Sequence, residues 1–144
     1  TTHAQTDLVG LGVSAISHIG DTYCQNPRDV PGWEAAVDGG RLPVWRGLQL
    51  SADDNLRADL IQQLMCQGEV DAVAVCRAHG VALYDYFAAE IAAVEALQAD
   101  GLARIDDGVI RATTQGRPLL RLLAMCFDSY LRQPDQPARY SKAI

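Results

Sequence analysis

At 144 residues the chain is about one domain long, enough to bury roughly 70% of its unfolded surface in a single core. Apolar residues make up 49% and charged residues 21%, a globular balance, and no uncharged apolar run approaches the ~20 residues that a membrane span requires. The net charge of −6 and a pI near 4.8 argue against a nucleic-acid binder, which carries a basic face for phosphates.

The stretch DLVGLGVSAIS, residues 7–17, is nearly continuously apolar, which predicts a strand buried on both faces as in a parallel α/β sheet. Residues 18–32, HIGDTYCQNPRDVPG, read as a long loop, followed after Pro31 by a short helix bearing Trp33 and Val37 and stopped at Gly39-Gly40. LPVWRGLQLS then reads as an extended connector. Ser51, with Asp53 and Asp54 behind it, caps a helix whose Leu56, Leu60, Ile61, Leu64 and Met65 recur at helical spacing. A second helix fits Asp71 to His79, closed by Gly80, and a third begins near Asp85 and ends at Asp100-Gly101. LARIDDGVIRAT predicts a hairpin turning at Asp107-Gly108. Thr114 is expected to cap a long closing helix through Leu119, Leu123, Phe127 and Tyr130 to about Arg132, with Pro118 tolerated in its first turn. The tail PDQPARYSKAI is expected to lie on the surface or to dock against something.

The expected fold is therefore mainly α with a small β-hairpin, a winged-helix-like C-terminal domain over residues 51–144, preceded over residues 1–50 by the end of a larger α/β domain. The first strand has no βα partner in the chain, and Thr1 stands where Met would open a complete protein, so the sequence is expected to be a fragment. No basic stretch followed by an apolar one begins it, so export is not expected.

Gly10, Gly12 and Ala15 match the dinucleotide-binding spacing G-x-G-x-x-[GA]. That fingerprint needs a helix to follow. Val13, Ile16, Ile19 and Gly20 make a poor one, so the glycines are read instead as strand positions where a backbone or ligand approaches closely. The cysteines at 24, 66, 76 and 126 form no C-x-x-C element and are read as buried free thiols of a reducing, cytoplasmic setting.

The segments TTHAQTDLVGLGVSAISHIGDTYCQN, VWRGLQL, DGLARID, GRPLLRLLAMCFDSYLRQ and RYSKAI together resemble the C-terminal third of the oxygen-independent coproporphyrinogen III oxidases. The resemblance covers essentially the whole chain. It implies a radical S-adenosylmethionine enzyme of haem biosynthesis that decarboxylates two propionates of coproporphyrinogen III to vinyl groups, giving protoporphyrinogen IX. It also implies a partial TIM-type barrel beside a helical C-terminal domain, cytoplasmic and monomeric when intact. The family's [4Fe–4S] cluster is held by a C-x3-C-x2-C loop that this sequence lacks, so the fragment alone is expected to be inactive, and the upstream part of the same protein is its implied partner. The position matching Ile16 contacts an S-adenosylmethionine in the family, whereas from the residue type alone Ile16 reads as core.

Among polar candidates, Arg46 offers a bidentate guanidinium for one carboxylate of the substrate, against the plainer reading of a structural arginine. His18 is a general base or a solvated loop histidine. Tyr23, Gln25 and Asn26 either line a substrate mouth or serve turn chemistry. Three rival functions are carried forward: a haem-carrying relative, a partner-docking module, and a DNA-binding regulator. The last is disfavoured because no Lys or Arg occurs from Ala78 to Ala103, where the recognition helix would lie.

Overall fold

The computed structural model describes residues 6–132 and divides into two compact units, residues 1–58 and 59–144. Both are built of helices and small antiparallel sheets.

In the first unit, β1 (Ile16–Ile19), β2 (Thr22–Gln25) and β3 (Arg46–Gln49) form an antiparallel sheet in the order β1-β2-β3, and α1 (Val30–Asp38) lies between β2 and β3 in sequence. This corrects three expectations. Residues 7–17 are not one strand buried on both faces: only the end of that run is extended, Leu8 makes a single bridge to His18, and Leu11 is 88% exposed. The segment 18–32 is not a loop, because Thr22–Gln25 returns along β1 after a tight turn at Gly20-Asp21, and Asp7 Oδ1 accepts the Gly20 N–H at 2.9 Å. The supposed connector supplies the third strand, so β1 has its partners within the chain. Apolar content was a poor guide here because these strands bury little. The sheet is instead held by its ladder and by turn chemistry. The helix after Pro31 is present, capped by Asp29, whose Oδ1 accepts the Gly32 N–H at 2.7 Å.

The helix α2 (Ala52–Gln67) starts as its capping residues dictate. Ser51 Oγ accepts the Asp54 N–H at 3.1 Å and the Asp54 carboxylate accepts the Ser51 N–H at 2.9 Å, a reciprocal capping box. Leu56, Leu60 and Leu64 are buried, while Met65, expected on the same stripe, is exposed.

The second unit continues with β4 (Glu69–Asp71), α3 (Ala72–Ala78), α4 (Leu83–Tyr86), α5 (Ala88–Ala99), β5 (Ala103–Asp106) and β6 (Val109–Ala112). Its sheet runs β4-β6-β5. The hairpin turns at Asp107-Gly108, both at positive φ (48° and 78°), the geometry for which that dipeptide is selected. β4 is too short, at three residues, to announce itself by periodicity.

The long closing helix is not formed. Instead the chain makes a 3-10 turn at Arg117–Leu119, the short helix α6 (Leu120–Met125) and a second 3-10 turn at Ser129–Arg132. Thr114 does not cap a helix: neither the 3-10 turn nor α6 has a side-chain cap, and it is Thr113 that closes the turn ahead of them, its Oγ1 accepting the Gly116 N–H at 3.0 Å and donating to the Gly101 carbonyl at 2.7 Å. Pro118 has no N–H to donate to the Thr114 carbonyl, the first i→i−4 bond of a helix capped at Thr114, and Asp128 Oδ1 takes the Tyr130 N–H at 2.9 Å, a local bond that competes with helix continuation. Phe87 and Phe127, both fully buried, meet edge to face at 5.5 Å in the core. The C-terminal tail lies outside the described residues.

Candidate functional site

The glycine segment is organised by Asn26, which is only 6% exposed. Its side-chain amide donates to the carbonyls of Gly12 (2.8 Å) and Gly10 (3.3 Å), and its backbone N–H donates to the Ala15 carbonyl at 2.9 Å. Ser17 Oγ accepts the Gly10 N–H at 3.0 Å. A Cβ on Gly10 would sit 2.6 Å from the Ile16 carbonyl oxygen, and Gly12 adopts φ +94°. Close backbone approach is what requires glycine at position 10, as the sequence indicated, although the residue lies in an irregular segment and not in a strand. The Gly10 amide is spent on Ser17 and both glycine carbonyls face Asn26, so this segment is not a phosphate cradle.

The pairing register brings the candidates together. Ile16 lies opposite Gln25, and Gln25 lies opposite Arg46; two residues along, His18 lies opposite Tyr23, and Tyr23 opposite Leu48. Residues directly opposite each other, and alternate residues along a strand, share a face of the sheet. Ile16, His18, Tyr23, Gln25 and Arg46 therefore stand on one face, while Asn26 turns inward as the clamp described above. Arg46 Nε donates to Gln25 Oε1 at 2.9 Å, and Gln25 Nε2 reaches the Ser14 carbonyl at 3.3 Å. The His18 and Tyr23 rings stack at 4.2 Å.

Ile16 is 52% exposed, which sets aside its reading as core within the described residues. His18 has no carboxylate partner in the described ion pairs, and its Nε2 is buried without a hydrogen-bond partner among the described residues, so the geometry offers nothing to activate it as a base. The sequence marks Trp45 only by its place beside Arg46. Its ring lies 5.2 Å from the Arg28 guanidinium carbon and 4.9 Å from that of Arg46. The W-R dipeptide signalled half of this arrangement; Arg28, seventeen positions earlier, gave no sign in the sequence.

No group of three or more His, Cys, Asp or Glu side chains able to hold a metal occurs among the described residues. None of the four cysteines is in a disulfide, and only Cys76 is buried, against the expectation of four buried thiols; burial raises the Cys76 thiol pKa above the ordinary value. The described residues do not fit an iron–sulfur cluster. No helix of the described residues is long and apolar enough to cross a membrane.

Comparison with known proteins gives a consistent result. Residues 50–119 match the family described as HemN C-terminal domain. The chain is 40% identical over 144 residues to the oxygen-independent coproporphyrinogen III oxidase of Escherichia coli strain K12, and 42% identical over 144 residues to that of Pseudomonas aeruginosa. Each alignment takes in all of this chain but only 32% and 31% of the relative, so the chain spans about a third of the length of those proteins. A solved structure, described as coproporphyrinogen III oxidase (HemN) from Escherichia coli, a radical SAM enzyme, superposes with a TM-score of 0.82 at 40% identity, covering 90% of this chain and 30% of that one. Residues 50–119 thus match the HemN C-terminal domain family, and the whole chain is similar to about a third of the length of the oxygen-independent coproporphyrinogen III oxidases of Escherichia coli and Pseudomonas aeruginosa.

Proposed function

We propose that the chain is the C-terminal third of an oxygen-independent coproporphyrinogen III oxidase, which converts two propionates of coproporphyrinogen III to vinyl groups in haem biosynthesis. The observation that carries this reading is the similarity along the entire chain to enzymes of that name, together with the superposition on a solved member. The cluster and S-adenosylmethionine supply the radical chemistry when bound, and the cluster ligands belong to the upstream part of the enzyme. What this chain contributes is the sheet face of β1–β3. There Ile16 offers an exposed apolar contact to a bound S-adenosylmethionine, and Arg46, held by Gln25, offers its fork to a substrate carboxylate.

In this reading the end of a partial TIM-type barrel gives way near residue 50 to the C-terminal domain. The capping box at Ser51 and the start of the family match at residue 50 support that boundary. The later domain is winged-helix-like: the element order α2, β4, α3, α4, α5, β5, β6, with α4 a single short turn ahead of α5, and the sheet order β4-β6-β5 support the likeness. It is not a DNA reader, since α5 carries Glu90 and Glu95 and no cation. The intact enzyme is taken to be a cytoplasmic monomer.

The test is to express the enzyme with its upstream part, reconstitute the cluster anaerobically, and follow 5′-deoxyadenosine and divinyl product from coproporphyrinogen III. Both should form, and neither should form from the 144-residue chain alone. A fully loaded enzyme that leaves the propionates intact, or that only carries haem, contradicts the proposal.

A further inference from the structure

We propose that Arg28 and Arg46, gathered on the single indole of Trp45, form a paired-guanidinium site for a carboxylate. The inference rests on the reading given under Proposed function and adds to it the second arginine and the aromatic group that holds the pair.

Both guanidinium carbons lie about 5 Å from the Trp45 ring centroid, at 5.2 and 4.9 Å. Each is anchored from its own side. Arg46 opens β3, directly after Trp45, whose N–H donates to the Gln25 carbonyl at 2.9 Å. Its Nε is committed to Gln25 Oε1, and none of the described hydrogen bonds or ion pairs occupies its terminal amines. Arg28 lies between two fixed backbone points: the Pro27 carbonyl accepts the Ser14 N–H at 2.7 Å, and the Asp29 side chain caps α1. Arg28, Trp45 and Arg46 are all exposed.

None of the described ion pairs includes either arginine, although the chain as a whole carries a net charge of −6. Two like charges sharing one ring repel, and an aromatic face attracts each of them without neutralising either. An anion placed between them relieves that repulsion, and a guanidinium fork matches a carboxylate in two parallel hydrogen bonds. Two carboxylate sources are compatible with this position: a propionate of the tetrapyrrole, or the amino-acid carboxylate of S-adenosylmethionine. The chemistry at the arginines is the same for both.

Equilibrium binding to the full-length enzyme separates the outcomes. Coproporphyrin III, followed by its absorbance and fluorescence, probes the first source, and radiolabelled S-adenosylmethionine in dialysis probes the second. Arg28→Gln should weaken one of the two ligands roughly ten-fold or more, the effect of losing one charge-assisted pair. Arg28→Lys should recover part of that loss because it restores charge without the fork. Trp45→Leu, which keeps both arginines but frees their orientation, should weaken the same ligand to a smaller degree. A loss confined to the porphyrin assigns the site to a propionate, and a loss confined to S-adenosylmethionine assigns it to the cofactor's carboxylate. Wild-type affinity for both ligands in a folded Arg28→Gln enzyme overturns the inference while leaving the proposed function standing. A wild-type enzyme that binds neither ligand overturns both.

Discussion

The two units of the chain reach a defined structure by different means. Residues 59–132 contain nearly all of the buried apolar side chains among the described residues: Leu60, Leu64, Val70, Phe87, Val94, Ile110 and Phe127 are each at most 2% exposed. Residues 6–58 contribute Leu56 alone to that set, and they expose Leu8, Val9, Leu11, Ile16, Leu42, Trp45 and Leu48. What orders the earlier unit is polar and local: the Asn26 clamp on Gly10 and Gly12, the Asp7 contact to Gly20, the Asp29 cap and the two ladders of β2. One face of that sheet carries Ile16, Tyr23 and Leu48 beside polar side chains, and Ile16 and Leu48 are about half exposed, an apolar surface of the kind that contacts more polypeptide or a ligand. The second unit also exposes large apolar side chains, Met65 and Tyr84 among them, but it has a buried core of its own.

That contrast can be broken most sharply by deleting core. Phe87→Ala removes a fully buried ring packed against Phe127 and should cost about 3–5 kcal/mol of unfolding free energy, whereas Leu11→Ala should change it by less than about 0.5 kcal/mol. Chemical denaturation followed by circular dichroism compares the two; similar losses would mean that the first unit also relies on burial. Next in size, Asn26→Ala leaves the Gly10 and Gly12 carbonyls without their donor and should cost about 2 kcal/mol, read as faster amide exchange at Ala15 to Ser17 with no change at β5 and β6. Ser51→Ala removes half of the capping box and should lower stability by about 1 kcal/mol, with Ser51→Asp restoring most of it.

A smaller effect is electrostatic. The Gln49 amide and then the Thr22 hydroxyl hold the Asp21 carboxyl below its ordinary value of 3.8. Because the folded state then binds a proton less readily than the unfolded one, this contribution to the first sheet is complete above that value and is lost as the pH falls through the lowered one. Gln49→Leu should move the Asp21 titration, followed by carboxyl NMR, back upward, and an unmoved titration would contradict the assigned cause. Smallest in consequence, alkylation of the native chain should reach Cys76 last of the four thiols, since it alone is fully buried and its pKa is raised.

The same division decided what could be read from residue types. In the second unit the elements carry their own punctuation. Ser51 with Asp54, Asp71 ahead of Ala74, Gly101 after α5 and the Asp107-Gly108 turn are local signals, and each produced the element expected of it. The closing helix failed because Pro118 and Asp128 each favour a local alternative over the helical period that Leu119 to Tyr130 displays. In the first unit hydrophobicity misled. Leu8, Val9 and Leu11 look like a buried strand, yet they are exposed in a segment shaped by glycines and by an asparagine fourteen and sixteen positions away. Ile16 and Arg46 could be singled out, but their placement on one rung with Gln25 depends on a β2 that the Gly, Asn and Pro content of residues 18–32 concealed. Arg28 needed the fold itself, because only the return of β3 brings Trp45 to it.

On the proposed function, the sheet of the first unit gains protection from the upstream part of the enzyme, whereas the second unit, which holds most of the buried core among the described residues, does not. Hydrogen–deuterium exchange on the 144-residue chain alone, and on the same chain joined to the upstream part of the enzyme, tests it most directly. Amides of β1, β2 and β3 should slow by roughly ten-fold or more on joining, while those of β4, β5, β6 and α5 keep their rates. Equal protection of the first sheet in both contexts would contradict it.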